Sequence, residues 1–157
     1  MFSFPNPVNE KAARVVAGVV MVVALVILAT SAYWLLIPLA YGFWARVLTG
    51  PRLSPLAALA SRVVAPRLGE PREVPGPPKR FAQGMGAAIT TAAVVALLAG
   101  AGTVVSVLLV LLVAAATLES AFGYCAGCQV FALLMRTGLI PEDVCAECAD
   151  IWARRPA

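Results

Sequence analysis

Four cysteines stand as two C-x-x-C pairs near the end of the chain, Cys125-Ala126-Gly127-Cys128 and Cys145-Ala146-Glu147-Cys148. The sixteen residues between them match the separation seen in zinc sites built from two such pairs. On a helix, positions i and i+3 share a face, so each pair also has the geometry for disulfide formation. The plain alternative is that small, apolar cysteines pack at a helix end, and a second pair weakens it. Histidine is absent. A zinc site would therefore be all-Cys, the closed structural type with no open position for water. Ser-His and Cys-His nucleophile systems are excluded, and no glycine loop of the phosphate-cradling kind is present. Glu119 is the third candidate, an ionisable group inside an apolar run. It reads as a proton relay beside the thiols or a partner for an arginine. Its plain reading is a carboxylate hydrogen-bonded to a neighbour such as Ser120 or Gln83.

The elements that position these residues are membrane spans. Hydrophobic residues make up 61% of the 157 and charged residues only 13%, against about 45–50% and about 25% in soluble domains. The apolar runs predict an all-α, polytopic protein, a single membrane domain over 1–157. Its four transmembrane helices fall near 12–29, 32–48, 81–100 and 104–124, each about long enough for a bilayer core of roughly 30 Å. Tyr33, Trp34, Tyr41, Phe43 and Trp44 sit near the ends of the second span, where amphipathic rings favour the interface. Pro38 inside it predicts a kink. The third span is rich in Ala and Gly, which allow close helix approach. The apolar stretch Val104–Met135 exceeds one crossing and predicts a fourth helix projecting beyond the bilayer.

Between the second and third spans, residues 49–80 carry seven prolines and several arginines and read as a loop outside the membrane, with a short surface helix near Leu56–Val64. All twelve Lys and Arg residues fall in the N-terminal arm, the Arg46–Arg80 region, or the end from Arg136 onward. The links Thr30-Ser31 and Ala101–Thr103 carry no charge. The positive-inside rule then places both termini and the long loop in the cytoplasm, at the cell (inner) membrane. A cleaved signal peptide over the first thirty residues is the competing reading, opposed by the immediate restart of a second span. The net charge of +4 comes without a basic stripe interleaved with aromatics, so the partner it implies is the lipid bilayer and not nucleic acid.

A turn at Thr137-Gly138 and a helix start at Pro141-Glu142-Asp143 predict a cytoplasmic Cys-rich hairpin over 125–152, with a short C-terminal helix through Trp152. About 10 Å of helix runs out from Cys128 to Met135 and about as much returns from Pro141 to Cys148, which would bring the two pairs level. Gly123 and Gly127 would offer the returning helix a smooth face. Cytoplasmic thiols are kept reduced, so the site reads as metal or transient redox and not a permanent disulfide.

Val8-Asn9, Ser54-Pro55-Leu56, the run Pro78-Lys79-Arg80-Phe81-Ala82-Gln83-Gly84, and Leu118-Glu119 through Gly123-Tyr124-Cys125-Ala126-Gly127-Cys128 resemble the bacterial membrane family known as domain of unknown function 4395. The resemblance spans most of the chain and carries over to Glu119, Cys125 and Cys128. It brings no established activity. Family members encoded near thioredoxin-like and sulfurtransferase proteins imply traffic in thiols or sulfur and a cytoplasmic partner of that kind. The leading expectation is a thiol-disulfide or sulfur-handling membrane protein acting through Cys125 and Cys128 with Glu119. The alternative is a non-catalytic interaction protein in which Cys125, Cys128, Cys145 and Cys148 hold one zinc.

Overall fold

The computed structural model describes residues 7–141, and they are mostly helical. Helix α1 (Glu10–Thr30) starts at Asn9, whose side chain accepts the Lys11 N–H at 3.0 Å, an N-cap that relieves one of the orphan donors of the first turn. It ends at Ser31, which takes a left-handed φ of 56°. A single 3-10 turn (Tyr33–Leu35) leads into α2 (Leu36–Thr49). Pro38 is the third residue of α2, in the first turn, where no intrahelical donor is needed. The expected kink is therefore absent, and the break in the chain lies before the proline.

The connector is helical at Pro55–Leu59 (α3) and Ala65–Arg67 (α4), joined by a π-helical stretch at Ala60–Val64. Ser54 caps α3 by accepting the Ala57 N–H. The expected surface helix thus lies within this segment. A pairing of two-residue strands, β1 (Val8–Asn9) with β2 (Glu73–Val74), was not foreseen. Lys11 Nζ donates to the Leu68 carbonyl, and Arg72 pairs with Glu10 at 2.9 Å. These contacts tie the connector to the start of α1.

Helix α5 (Gly76–Leu98) begins about a turn earlier than the predicted span, because Pro77 and Pro78 occupy its first positions, where a missing N–H costs nothing. Lys79 and Arg80 are thereby drawn into the helix. Helix α6 (Gly102–Phe122) ends at Gly123, and α7 (Ala126–Arg136) is a separate short helix. The continuous fourth helix to Met135 is corrected here. Gly123 adopts a φ of 67°, its N–H bonds to the Glu119 carbonyl, and the chain turns. Hydrophobicity alone does not register this break, since both sides of the turn are apolar.

The core forms where α1 and α5 pack on α6 and α2 packs on α5. Its buried residues include Val20, Ala24, Ile27, Leu36, Ala93, Val105 and Leu109. Trp44 Nε1 donates to Thr91 Oγ1 across α2 and α5 at 3.0 Å. Arg14 of α1 donates to the Ser120 and Ala121 carbonyls at 3.1 and 3.0 Å. These are orphan acceptors of the last turn of α6, where a cation also complements the helix dipole. Around the core, Val22, Leu25, Ile37, Val95, Val107 and Leu111 face outward. Three helices, α1, α5 and α6, are long and apolar enough to cross a membrane. The second expected span corresponds to the 3-10 turn and the 14-residue α2. Cys145, Cys148 and the tail helix to Trp152 lie outside the described residues.

Candidate functional site

The start of α1, the end of α2, the start of α5, the end of α6 and the start of α7 meet at one end of the bundle. Lys79 of α5 and Glu119 of α6 form an ion pair there, Nζ to Oε1 at 2.5 Å, with side chains only 7% and 14% exposed. Glu119 was expected to pair with an arginine, Ser120 or Gln83; its hydrogen-bond partner is a lysine. Gln83, one turn along α5, instead accepts from Arg46 Nε at 2.7 Å. The Arg46 guanidinium lies 4.6 Å from the centroid of the Phe43 ring, a cation–π arrangement. Phe43 in turn rests on Gly86, where a Cβ would come within 2.1 Å of the ring. Gly86 thus positions the platform that carries Arg46.

Cys125 joins this cluster because α6 stops. With backbone angles of −93° and 105° it is the N-cap of α7, and its sulfur accepts the Cys128 N–H at 3.3 Å. Sulfur here fills the place that Ser or Asp oxygen usually takes. The hydrogen bond from the Cys128 thiol, with the Lys79 charge behind it, holds Cys125 below the usual thiol range, against burial and Glu119. The same hydrogen bond, together with burial and the Cys125 charge, pushes Cys128 up. The two thiols therefore differ in kind. Cys125 is buried and the more acidic of the two; Cys128 is half-buried and the less acidic, and both are free.

Close packing fixes α7 against α5. A Cβ on Gly127 would fall 2.5 Å from Ala82 Cβ and 2.6 Å from its Cα, so only glycine permits this approach. Phe131 packs on Phe81 with ring centroids 5.7 Å apart. The expected use of Gly123 and Gly127 as one face for a returning helix is corrected. Gly127 meets α5, whereas Gly123 forms the turn beside Glu10 and Arg14.

A cavity of about 80 Å³ lies among these helices, lined by Arg46, Gln83, Glu119 and Cys125 and otherwise by mainly aliphatic side chains. A second, of about 250 Å³, is bordered by Asn9, Ser61, Arg46, Lys79 and Gln83. Arg46 and Gln83 line both.

Of the predicted site residues, the structure brings Cys125, Cys128 and Glu119 together. It does not describe Cys145 or Cys148, and among the described residues no group of three or more metal-ligating side chains occurs. Sequence reasoning missed Lys79 and Arg46 as site residues, since charges at span ends read as interfacial anchors. A signal was available in the spacing of Lys79, Gln83, Gly86, Thr90 and Ala93, a stripe of polar and small residues at helical intervals along an otherwise apolar element.

These features define a mostly helical protein with three helices able to cross a bilayer and a buried ammonium–carboxylate pair beside a C-x-x-C. The chain belongs to the family described as domain of unknown function DUF4395, which matches residues 8–136. The matched stretch includes Arg46, Lys79, Glu119 and the first cysteine pair and ends before the second. No curated protein and no solved structure matches the chain.

Proposed function

We propose that this is a four-span protein of a bacterial inner membrane whose Cys125 and Cys128 exchange disulfides with a cytoplasmic thioredoxin-like or sulfurtransferase partner. The outward-facing apolar residues of α1, α2, α5 and α6 support the membrane placement, with the 3-10 turn and α2 completing the second span. The basic residues at the starts of α1 and α5 and in the connector, against uncharged turns at Thr30–Ala32 and Ala99–Ala101, support a cytoplasmic site. The observation that carries the chemistry is the asymmetry of the pair: the buried Cys125 sulfur accepts the Cys128 N–H and feels the Lys79 charge, which lower its pKa, while Cys128 is the more exposed thiol.

In the reducing direction, a partner thiolate bonds to the half-exposed Cys128 sulfur of the oxidised pair. The Cys125–Cys128 bond breaks and Cys125 leaves as thiolate, held by the Cys128 N–H and the Lys79 charge; a leaving thiol of low pKa leaves faster. The partner's second thiolate then attacks the partner sulfur of the mixed disulfide. Cys128 departs and takes up a proton, and the partner, having given two electrons, is left as a disulfide. The reverse sequence oxidises the pair. Glu119 fixes Lys79 in place and tempers its effect on Cys125.

The four-cysteine zinc alternative needs Cys145 and Cys148 beside this pair, and a family match ending at Arg136 supports the two-cysteine unit over it. Protein purified without added zinc, oxidised with diamide and treated with reduced thioredoxin tests the reading. Recovery of two thiols per chain that disappear in the Cys125→Ser variant is the expected result. Thiols released only by a chelator, with one zinc per chain, would overturn it.

A further inference from the structure

The two cations at the start of α1 reach only neutral oxygens. Lys11 Nζ donates to the Leu68 carbonyl at 2.9 Å, and Arg14 donates to the Ser120 and Ala121 carbonyls at the end of α6. Glu10, beside them in the chain, is taken by Arg72 at 2.9 Å, so among the described residues neither cation has a carboxylate partner. Both border an open cleft of about 380 Å³ between α1, the end of the connector and the end of α6, whose other walls are Val15, Gly18, Leu68 and Ser120. The connector's acids Glu70 and Glu73 are exposed and do not line it. The cleft therefore presents two positive charges and no negative one.

It also straddles the edge of the apolar surface. Positions 11, 15, 18, 22 and 25 recur at helical spacing on one face of α1, so the cleft continues past Val15 and Gly18 onto Val22 and Leu25, which are exposed. Gly18 keeps its floor low: a Cβ there would stand 3.0 Å from Ser120 Oγ. Cations at one end and an apolar groove at the other are the polarity of a phospholipid. We propose that this cleft holds an anionic phospholipid, its phosphodiester on Lys11 and Arg14 and an acyl chain along Gly18, Val22 and Leu25. A zwitterionic headgroup brings an ammonium of its own, whereas a net negative one such as phosphatidylglycerol answers the two cations. A free phosphate ester would leave the apolar groove uncovered. The site rests on the membrane placement proposed above and not on thiol exchange.

The full chain is inserted into nanodiscs of phosphatidylcholine alone and of equimolar phosphatidylcholine and phosphatidylglycerol, and the lipid that stays bound on release is counted by native mass spectrometry. Retention of phosphatidylglycerol in preference to phosphatidylcholine is expected. The ratio should fall about fivefold in Lys11→Gln, the worth of one basic residue at an anionic lipid surface. Should Lys11→Gln not fold, phosphatidylglycerol with a photoreactive diazirine on its headgroup decides on the unaltered chain, with labelling expected within residues 11–18 or at Ser120. Equal retention of the two lipids by inserted protein, an unchanged ratio in folded Lys11→Gln, labelling confined to other segments, or displacement of the lipid by soluble glycerol 3-phosphate would overturn the site alone. A chain that does not enter phosphatidylcholine nanodiscs would overturn the membrane placement, and the site with it.

Discussion

Removing one partner of the Lys79–Glu119 pair should damage the protein far more than removing both. The side chains are 7% and 14% exposed, so solvent screening, which reduces most ion pairs to little net value, acts weakly here. Breaking a buried pair by deleting one partner costs about 3–5 kcal/mol, whereas replacing both with apolar residues of similar size is often near neutral. Arg46 makes the two single variants unequal. In Lys79→Met, Glu119 keeps Arg46 as a counter-charge; in Glu119→Leu, Lys79 and Arg46 both lose the carboxylate that acts on them. Glu119→Leu should therefore lie at the upper end of that range and Lys79→Met at the lower, with the double variant less destabilised than either single, a recovery of more than about 5 kcal/mol relative to the sum of the singles. Denaturant or SDS titration of all four proteins in mixed micelles measures this. Thiol alkylation at pH 7 supplies a second readout that packing alone would not move. Loss of the Lys79 charge should slow modification of Cys125, and loss of the Glu119 charge should speed it, because the two act on the thiol with opposite sign. Additive single effects, or alkylation shifted in the same direction by both, would refute the reasoning.

Three further outcomes are expected. Cys125→Ser should accumulate a mixed disulfide at Cys128 when given an oxidised thioredoxin, while Cys128→Ser should not do so at the buried Cys125; mass spectrometry of the trapped species distinguishes them. Gly86→Leu should destabilise by about 1–3 kcal/mol by overpacking, since even its Cβ meets the Phe43 ring at 2.1 Å, and Gly86→Ala should show a smaller loss in the same melting assay. Cys125 alkylation should follow a titration below that of an ordinary thiol, with the fast rate present at high pH and lost as the thiolate protonates; Cys128→Ala should move that titration upward, because the largest contribution to lowering it is the Cys128 thiol's hydrogen bond.

The helices were legible in the sequence wherever apolar runs were long and bounded by charge or turn residues. α1 and α6 start and stop within a few residues of the expected spans, since Asn9 and Gly123 carry cap chemistry. The α6–α7 break was not recognised, although Gly123-Tyr124 was in plain view. A long apolar stretch was read by hydropathy, and the glycine inside it was assigned to packing. Lys79 was placed in the loop outside the membrane for a similar reason: the predicted span began at Phe81, and two N-terminal prolines move the true start back to Gly76. Partner choice for Glu119 depends on the rotation of α5 against α6, which single-helix periodicity does not encode.

The unanticipated break also accounts for the difference between the thiols. Had α6 run on to Met135, Cys125 would sit in a helix interior, where the Cys128 N–H belongs to the carbonyl of residue 124. Its sulfur would then receive no backbone donor. Ending the helix at Gly123 makes Cys125 an N-cap, and its sulfur accepts the Cys128 N–H that the first turn of α7 leaves free. Gly127 lets that turn approach Ala82 of α5, three residues from Lys79, so the same approach brings the ammonium close enough to act on both sulfurs. A C-x-x-C on a continuous helix would present two similar thiols on one face. One that straddles a cap presents a more acidic sulfur, which leaves readily, beside a more exposed one that the partner's thiolate can attack, the asymmetry that disulfide exchange uses in the reducing direction.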